Sequence, residues 1–322
     1  MEYVRDNPVH QAVRFAITTN GFSLDQVAAE FLASNCFTVT VSLDGPQAVH
    51  DQFRRTALGE PTWSRVIANV RGFVASHSDY RTNGQLRFSA VATPSTDLRQ
   101  VQAFFRSSDL FTDSMGLGVG EQKGLADLGR LLATDPLVES ARALQEKLFE
   151  DIKAGGFESG RVRRENWVQV SAFEKPLILF HKRGFFASCL PEAIVLLNTC
   201  IPGVRRTFAS TNGQYFACER VEESAEENIG NVWDGVDAAK VVSLLERWTR
   251  LSAKECRSCW CLPTCTVGCF ASVGEGGILT QESKQRACKL CRHRMHQLLV
   301  DYCTILEENP GAMDYADKIT IS

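Results

Sequence analysis

Cysteine spacing constrains the fold of this chain more than any other feature, because 12 of its 322 residues are cysteine and most lie in the C-terminal third. Seven of them are separated by loop-like intervals rather than helical repeats: Cys200, Cys218, Cys256, Cys259, Cys265, Cys269 and Cys288. Clustered thiols in a reducing compartment bind metal more often than they form disulfides. A four-iron cluster takes about four thiolates, so seven or eight ligands suffice for two clusters.

A structural zinc site is the alternative interpretation of part of this array. Cys256 with Cys259, and Cys288 with Cys291, each enclose two residues, which suits a tetrahedral zinc knuckle. That interpretation leaves the remaining members of the array without a reason to cluster. Spacing alone does not decide between iron–sulfur clusters and a zinc site. Cys36 lies outside the array, on an apolar face of its segment, and is therefore predicted to be in the core. The same expectation holds for Cys303.

The charge balance argues against one class of partner. Lysine and arginine number 35 against 38 aspartate and glutamate, which gives a formal net charge of -3 and a pI near 6.1. Nucleic-acid-binding proteins usually carry a concentrated basic face, so no nucleic-acid partner is expected. The first twelve residues lack the apolar stretch of a signal peptide, and the longest apolar runs are far too short to span a bilayer. The sequence therefore predicts a cytoplasmic protein without a membrane partner.

The first 135 residues alternate short apolar segments with amphipathic ones. The predicted strands are Val13–Thr18, Phe37–Leu43, Leu86–Ala92 and Met115–Val119. Between them, apolar residues recur at helical spacing, as in the segment from Trp63 to Val74. Strands that alternate with helices favour a parallel sheet covered by helices, either a barrel or an open sheet. Further along, the pattern predicts a helix at Leu137–Lys153 and a last helix at Arg294–Glu307.

Taken together, these segments resemble a known family. The spacing Cys200-x12-Gly213-x4-Cys218, Cys256-x2-Cys259-x5-Cys265-x3-Cys269 and Cys288 resembles the seven-cysteine SPASM motif of radical S-adenosylmethionine (SAM) peptide maturases. Independently, ITTNG at 17–21, SLDGP at 42–46 and HDQFRR at 50–55 resemble the middle strands and following loops of the radical SAM barrel. The family includes anaerobic sulfatase-maturing enzymes and enzymes that modify ribosomally synthesised peptides (RiPPs).

The resemblance implies an α/β fold in two parts. The first is a partial radical SAM (β/α)6 barrel of about four strands, and the second is a cysteine-rich SPASM domain of α+β type. The implied segments are residues 1–135 for the barrel, 136–195 for a helical connection and 196–322 for the SPASM domain. The implied cofactors are SAM and two [4Fe-4S] auxiliary clusters. The implied partners are a ribosomal peptide substrate and a reductant such as ferredoxin or flavodoxin.

The same resemblance distributes the cysteines between the two clusters. The second auxiliary cluster would be held by Cys256, Cys259, Cys265 and Cys288. The first would be held by Cys200, Cys218 and Cys269, with its fourth iron open or bound by another cysteine such as Cys189. Cys189 is equally compatible with a buried apolar thiol. Cys291 lies outside the motif but could replace Cys288 as a ligand.

The resemblance also implies residues for SAM and substrate. Asn20, Ser42 and Asp44 lie at or just beyond predicted strand ends, where parallel barrels place their sites and where the family binds SAM. Arg54 or Arg55 resembles the arginine that pairs with the SAM carboxylate, a task suited to a guanidinium fork. Glu219 directly follows Cys218 and matches a position where some relatives keep an acid for proton transfer. Without the motifs, each charged side chain would be read as a solvated surface group.

One departure from the family pattern limits the expected activity. The family reduces and cleaves SAM at a cluster bound by a Cys-x3-Cys-x2-Cys loop, and no such triplet occurs in this sequence. The leading interpretation is therefore an N-terminally truncated radical SAM/SPASM enzyme, which when intact abstracts hydrogen from a ribosomal peptide. This chain alone is expected to bind SAM weakly or not at all and not to cleave it. The alternatives are a non-catalytic iron–sulfur or zinc module, or a subunit of a split enzyme.

Overall fold

A computed structural model describes residues 13–121, 134–154, 166–182, 200–262, 265, 269 and 280–319. The chain forms two compact units. The first comprises Met1–Leu179 together with Ile305–Ser322, and the second comprises Phe180–Thr304. The division into 1–135, 136–195 and 196–322 remains a prediction.

A four-stranded parallel sheet in the order β1-β2-β3-β4 is the centre of the first unit. The strands are β1 (Ala16–Thr19), β2 (Thr38–Ser42), β3 (Leu86–Ala92) and β4 (Gly116–Glu121). The intervening helices are α1 (Gln26–Ser34), α2 (Gln47–Phe53), α3 (Trp63–Ser76) and α4 (Leu98–Ser107). A 3-10 turn at Ser78–Arg81 precedes β3. This is the strand and helix alternation that the sequence predicts.

Aspartate side chains fix where several of these helices begin. Asp25 accepts a hydrogen bond from Ala28 N at the start of α1, and Asp97 accepts one from Arg99 N at the start of α4. An N-cap oxygen satisfies a backbone N–H that has no partner within the helix, which contributes about 1 kcal/mol. The helices cover the sheet. In β2, one of its two inner strands, Val39 is fully buried.

The first unit continues with further helices. These are α5 (Pro136–Lys153), α6 (Trp167–Gln169), a π-helical turn at Val170–Glu174 and the start of α7 (Lys175–His181). Of these, α6 and the turn after it pack against β4. Ser171 Oγ accepts a hydrogen bond from Val119 N of β4 at 3.1 Å. The Trp167 ring lies 5.8 Å from that of Phe105, so this segment joins the same core as α4.

The second unit contains a small antiparallel sheet and two long helices. Its strands are β5 (Phe208–Ala209), β6 (Gln214–Phe216), β7 (Asn228–Asn231) and β8 (Gly235–Val236). Its helices are α8 (Ala238–Cys256) and α9 (Gln281–Glu308), and the last four residues of α9 belong to the first unit. A 3-10 turn at Asp314–Lys318 follows.

Three local predictions differ from the structure. The last helix begins at Gln281 rather than Arg294, because the added turns are rich in charged residues that hide the apolar periodicity. Cys36 is exposed in a left-handed turn with φ of 53°, and Cys303 is exposed on α9, so neither lies in the core. Among the described residues, every helix is too short or too polar to cross a membrane.

Candidate functional site

The carboxyl ends of the parallel strands collect the polar residues that the sequence predicts for a ligand. Asn20 directly follows β1, Ser42 ends β2, and Asp44 lies two residues beyond. Adjacent parallel strands end at the same edge of a sheet, which is where open and closed α/β folds bind ligands. Asn20 Oδ1 accepts a hydrogen bond from Phe22 N at 3.0 Å, which shapes the turn after β1.

Asp44 and Arg54 form a bidentate ion pair at this edge. Arg54 Nε donates to Asp44 Oδ2 at 2.6 Å, and Arg54 Nη2 donates to Asp44 Oδ1 at 2.9 Å. Asp44 Oδ1 also accepts from Val91 N of β3 at 2.9 Å. Since the Asp44 side chain is only 7% exposed, its carboxylate acts mainly as the support that orients Arg54 over the strand ends.

Hydrogen bonds through the buried His50 also connect Asp44 and Arg54. Asp44 N donates to His50 Nδ1 at 3.4 Å, and His50 Nε2 lies 3.2 Å from Thr62 Oγ1. Thr62 Oγ1 in turn donates to Arg54 O at 2.6 Å. Burial lowers the pKa of His50 and outweighs the opposing effect of the Asp44 carboxylate. We therefore assign His50 as neutral, with its proton on Nε2 and directed to Thr62.

Asp51 holds the start of α3 against the same loop. Its Oδ1 accepts hydrogen bonds from Thr62 N and Trp63 N, both at 2.9 Å. Trp63 Nε1 donates to Gly45 O at 3.0 Å. The carboxylate thus takes the place of an N-cap side chain, where the helix dipole favours negative charge.

A cavity of about 460 Å³ opens beside this loop. It is lined by Asn20, Phe22, Phe53, Arg54, Arg55, Thr56, Ala57 and Thr62. Arg55 is exposed, and its Nη1 donates to Gly59 O at 2.8 Å. The Arg65 guanidinium lies 4.1 Å from the centre of the Phe22 ring. Aromatic rings and guanidinium groups on one wall suit a ligand that combines an anionic group with a flat apolar part.

The second unit gathers cysteines from the loop after α8 and from α9 into one apolar cluster. Cys261 and Cys291 are buried in it, and their Sγ atoms lie 3.8 Å apart. Cys259, Cys265 and Cys288 are partly buried against the same cluster. Its other buried members are Ala217, Ile229, Val241, Leu244 and Trp248. The structure thus brings together cysteines from two separate segments of the chain.

The pKa of Cys288 reflects the charged and thiol groups around it. Burial raises the pKa of Cys288, the Lys284 ammonium opposes that shift, and the thiols of Cys256 and Cys259 add to it. The loop between α8 and Cys265 is tightly turned, since Cys259 N donates to Cys256 O at 3.1 Å. A thiol near other thiols and two cations, Lys284 and Arg292, is suited to binding a metal that displaces its proton.

The remaining predicted ligands are less closely grouped. Cys218 is buried, Cys269 is partly buried and Cys200 is exposed, whereas Cys189 lies outside the described residues. In the part of the chain that the structure describes, no three His, Cys, Asp or Glu side chains surround one point as they would a single metal ion. A four-iron cluster binds each thiolate through a different iron atom, so its ligands stand further apart. By donor chemistry, the cysteines around Cys288 fit such a cluster.

Glu219 is a surface residue in this structure. Its side chain is 55% exposed, and its Oε1 lies 3.4 Å from Arg206 Nη1 and 3.9 Å from Arg220 Nε. Exposed ion pairs of this kind contribute about 0–1 kcal/mol. The predicted proton-transfer role of Glu219 remains a prediction.

Sequence reasoning missed three residues that organise these sites. His50 and Asp51 belong to the HDQFRR segment, yet only its arginines were assigned a role. An adjacent His-Asp pair before two arginines could have indicated a buried polar network. Lys284 is 1% exposed beside the cysteines, and its sequence context of charged residues gave no sign of burial.

Segments of the chain are similar in sequence to anaerobic sulfatase-maturating enzymes. No family model matches the chain. A serine-type anaerobic sulfatase-maturating enzyme from Bacteroides thetaiotaomicron is 39% identical over 54 residues, which is 17% of this chain and 13% of the relative. Cysteine-type enzymes from Clostridium novyi and Clostridium perfringens are 25% and 27% identical over 97 and 94 residues. These segments are 30% and 29% of this chain and 25% and 24% of the relatives.

Solved structures extend the similarity to nearly the whole chain. Native anSMEcpe with bound AdoMet and Kp18Cys peptide superposes with a TM-score of 0.60 and 18% identity, covering 98% of this chain and 79% of that one. Native anSMEcpe with bound AdoMet gives a TM-score of 0.61 and 20% identity, covering 95% and 80%. The chain is thus related to radical SAM/SPASM peptide maturases, and its parallel sheet is compatible with part of a radical SAM fold.

Proposed function

We propose that this relative of the radical SAM/SPASM peptide maturases is an iron–sulfur protein of the peptide-modifying type. In this proposal the second unit is a SPASM domain with two [4Fe-4S] auxiliary clusters, and the first unit offers a SAM site at the strand ends. SAM would supply the hydrogen-abstracting chemistry of the family, with a ribosomal peptide as substrate and a ferredoxin or flavodoxin as reductant. The observation that carries the proposal is the gathering of cysteines from the loop after α8 and from α9 in one cluster.

The proposed ligands follow the sequence motif. Cys256, Cys259, Cys265 and Cys288 would hold one cluster, and the packing of the last three in a common apolar environment supports this. Low polarity around a cluster limits solvent access, which is one of the means by which a protein sets the potential of a cluster. Cys200, Cys218 and Cys269 would hold the other cluster, with its fourth position open or bound by Cys189.

The proposed SAM site is the cavity beside the strand ends. Nε and Nη2 of Arg54 are engaged by Asp44, which leaves Nη1 outside that pair. Arg55 is more exposed and is joined to Gly59 O by its own Nη1. We propose that Arg55 binds the carboxylate of the ligand and that Arg54, fixed by Asp44, shapes the wall of the cavity. Ser42 and Asn20 would orient the rest of the ligand from the strand ends.

Metal analysis of the full chain tests the cluster proposal. Protein purified without oxygen should contain about eight iron atoms and a similar amount of acid-labile sulfide per chain. Replacing Cys256 and Cys259 together by alanine should remove roughly half of the iron. Cys36→Ala is the matched control, since Cys36 is exposed in the first unit and should leave iron unchanged. Stoichiometric zinc without sulfide would contradict the proposal and favour the zinc module.

SAM binding and cleavage form a separate test. The expected binding of SAM is weak, and equilibrium dialysis with radiolabelled SAM at high protein concentration should show it weaken at least fivefold further in Arg55→Gln, whereas the exposed Arg71→Gln should bind as the wild type does. Because the sequence lacks the Cys-x3-Cys-x2-Cys loop, the chain by itself should form no 5′-deoxyadenosine under dithionite. Formation of that product would show that the chain cleaves SAM without this loop.

A second candidate is a subunit that completes its sheet with a separate polypeptide. The specific observation is β1, which among the described residues is an outer strand of its sheet and exposes Ala16, Ile17 and Thr18. An exposed apolar edge strand readily pairs with another chain. Adding a polypeptide that carries the missing three-cysteine loop should then restore formation of 5′-deoxyadenosine, and its failure to do so would remove this candidate.

A further inference from the structure

Lys284 is a buried cation in the second unit. Its side chain is 1% exposed, and its Nζ donates to Leu251 O at 2.7 Å and to Glu255 Oε2 at 3.1 Å. Lysine is almost never fully buried unless it is paired, because removing an ammonium from water is costly. Here the pairing is one-sided, since the Glu255 side chain is 45% exposed and shares its charge with water.

The position of Lys284 relates it to the proposed cluster ligands. Lys284 and Cys288 are four residues apart on α9, so both side chains lie on the same face of the helix. Glu255, which Lys284 contacts, directly precedes Cys256 at the end of α8.

The bond to Leu251 O does not require this charge, and the half-exposed Glu255 carboxylate balances it only in part. A neutral amide donor could also bond to Leu251 O and join α8 to α9. A buried ammonium is favourable where negative charge lies nearby in a medium of low dielectric constant. A cluster with thiolate ligands carries such charge, and reduction adds one more negative charge. Net charge around a cluster and hydrogen bonds to its sulfurs are among the main determinants of its reduction potential.

We infer that Lys284 is a tuning residue, which raises the reduction potential of the cluster held by Cys256, Cys259, Cys265 and Cys288. This inference rests on the proposed function, since it requires that cluster to be present. The ammonium stabilises the reduced state more than the oxidised state, because the reduced cluster is the more negative. Lys284 would change the reduction potential of the cluster through its charge alone, without contact with a substrate.

Redox titration of the full cluster-containing chain, followed by electron paramagnetic resonance, tests the inference. In Lys284→Met, the ratio of reduced to oxidised cluster at a fixed potential should fall about tenfold, which is a negative shift of about 59 mV for one electron. Lys284→Arg keeps the charge and should stay near the wild type. The matched control is Lys289→Met, which removes the same charge from an exposed position of α9 and should change the ratio less than twofold.

Each outcome bears on a different claim. Wild-type protein without iron and sulfide overturns the proposed function itself. Equal iron content with unchanged potentials in Lys284→Met overturns only the tuning role, as does an equal shift in Lys289→Met. If Lys284→Met does not fold, Lys284→Gln retains a donor for Leu251 O, and the same tenfold change is expected of it. An unchanged potential in Lys284→Gln would equally contradict the inference.

Discussion

The guanidinium of Arg54 lies in a forked contact with the carboxylate of Asp44, with N–O distances of 2.6 and 2.9 Å. The pair joins the loop after β2 to the end of α2, and through Val91 N it also joins β3. Three structural elements therefore depend on one carboxylate that is almost fully buried.

Asp44→Asn should destabilise the first unit by about 2 kcal/mol, since hydrogen bonds to charged groups contribute about 1.5–3 kcal/mol each and asparagine preserves only part of them. Urea unfolding of the cluster-containing protein measures this change. The control is Arg71→Gln, which breaks the exposed Arg71–Asp109 pair and should cost less than about 0.5 kcal/mol. An equal loss of unfolding free energy in both variants would show that burial does not make the Asp44–Arg54 pair more stabilising than an exposed pair.

His50 should make the stability of the first unit dependent on pH. Because burial lowers its pKa from the ordinary value of 6.5, the unfolded chain binds a proton at a higher pH than the folded chain does. The stabilisation is fully present above about pH 6.5 and is lost as pH falls through the pKa of the folded state. The loss is at most about 1.4 kcal/mol per pH unit for one proton.

The measurement is the urea midpoint between pH 8 and pH 5.5, compared for wild type and His50→Gln. Glutamine does not titrate, so the curve of His50→Gln should be flatter over this range, whatever its absolute stability. His296→Gln removes an exposed histidine and should keep the wild-type slope. An unchanged slope in His50→Gln would mean that His50 is protonated equally in both states.

The two inner strands of the first unit's sheet are predictable because alternate residues along β2 and β3 are apolar and buried. Leu86–Ala92 was predicted with both ends correct, and in β3 the residues at alternate positions are buried. The Asp44–Arg54 pair is not predictable from the sequence. It depends on the path of the chain between the two residues, and the sequence pattern assigns each residue a role without showing that they meet. In the second unit, the cysteine spacing predicts convergence but not which thiols meet. The contact of Cys261 with Cys291 comes from the packing of a loop against α9.

Iron content should separate Cys288 from Cys291, which the sequence left as alternatives. Cys288 lies close enough to Cys256 and Cys259 for their charges to interact, whereas the Cys291 Sγ faces the Cys261 Sγ. Cys288→Ala should therefore lose about four iron atoms per chain, while Cys291→Ala should keep nearly all of them. The reverse result would assign Cys291 as the ligand and return Cys288 to the apolar cluster.

Among the described glycines of the second unit, Gly230 should be the one whose replacement costs most. It has a φ of +138°, and a Cβ at this position would overlap Gly235 O and lie 3.0 Å from Asp237 N. Asp237 caps the start of α8, so a displacement there is transmitted to the helix that ends at Cys256. Gly235 also has a positive φ, of +85°, but a Cβ there would meet nothing within 4 Å.

Gly235→Ala should thus cost only the strain of a left-handed conformation, about 1 kcal/mol. Gly230→Ala adds the steric overlap and should cost more than about 2 kcal/mol, as measured by urea unfolding. Iron content provides the second measurement, because a shifted α8 moves Cys256 and should lower the iron bound by Gly230→Ala but not by Gly235→Ala. Equal stability and iron in the two variants would show that the β7–β8 turn does not position α8.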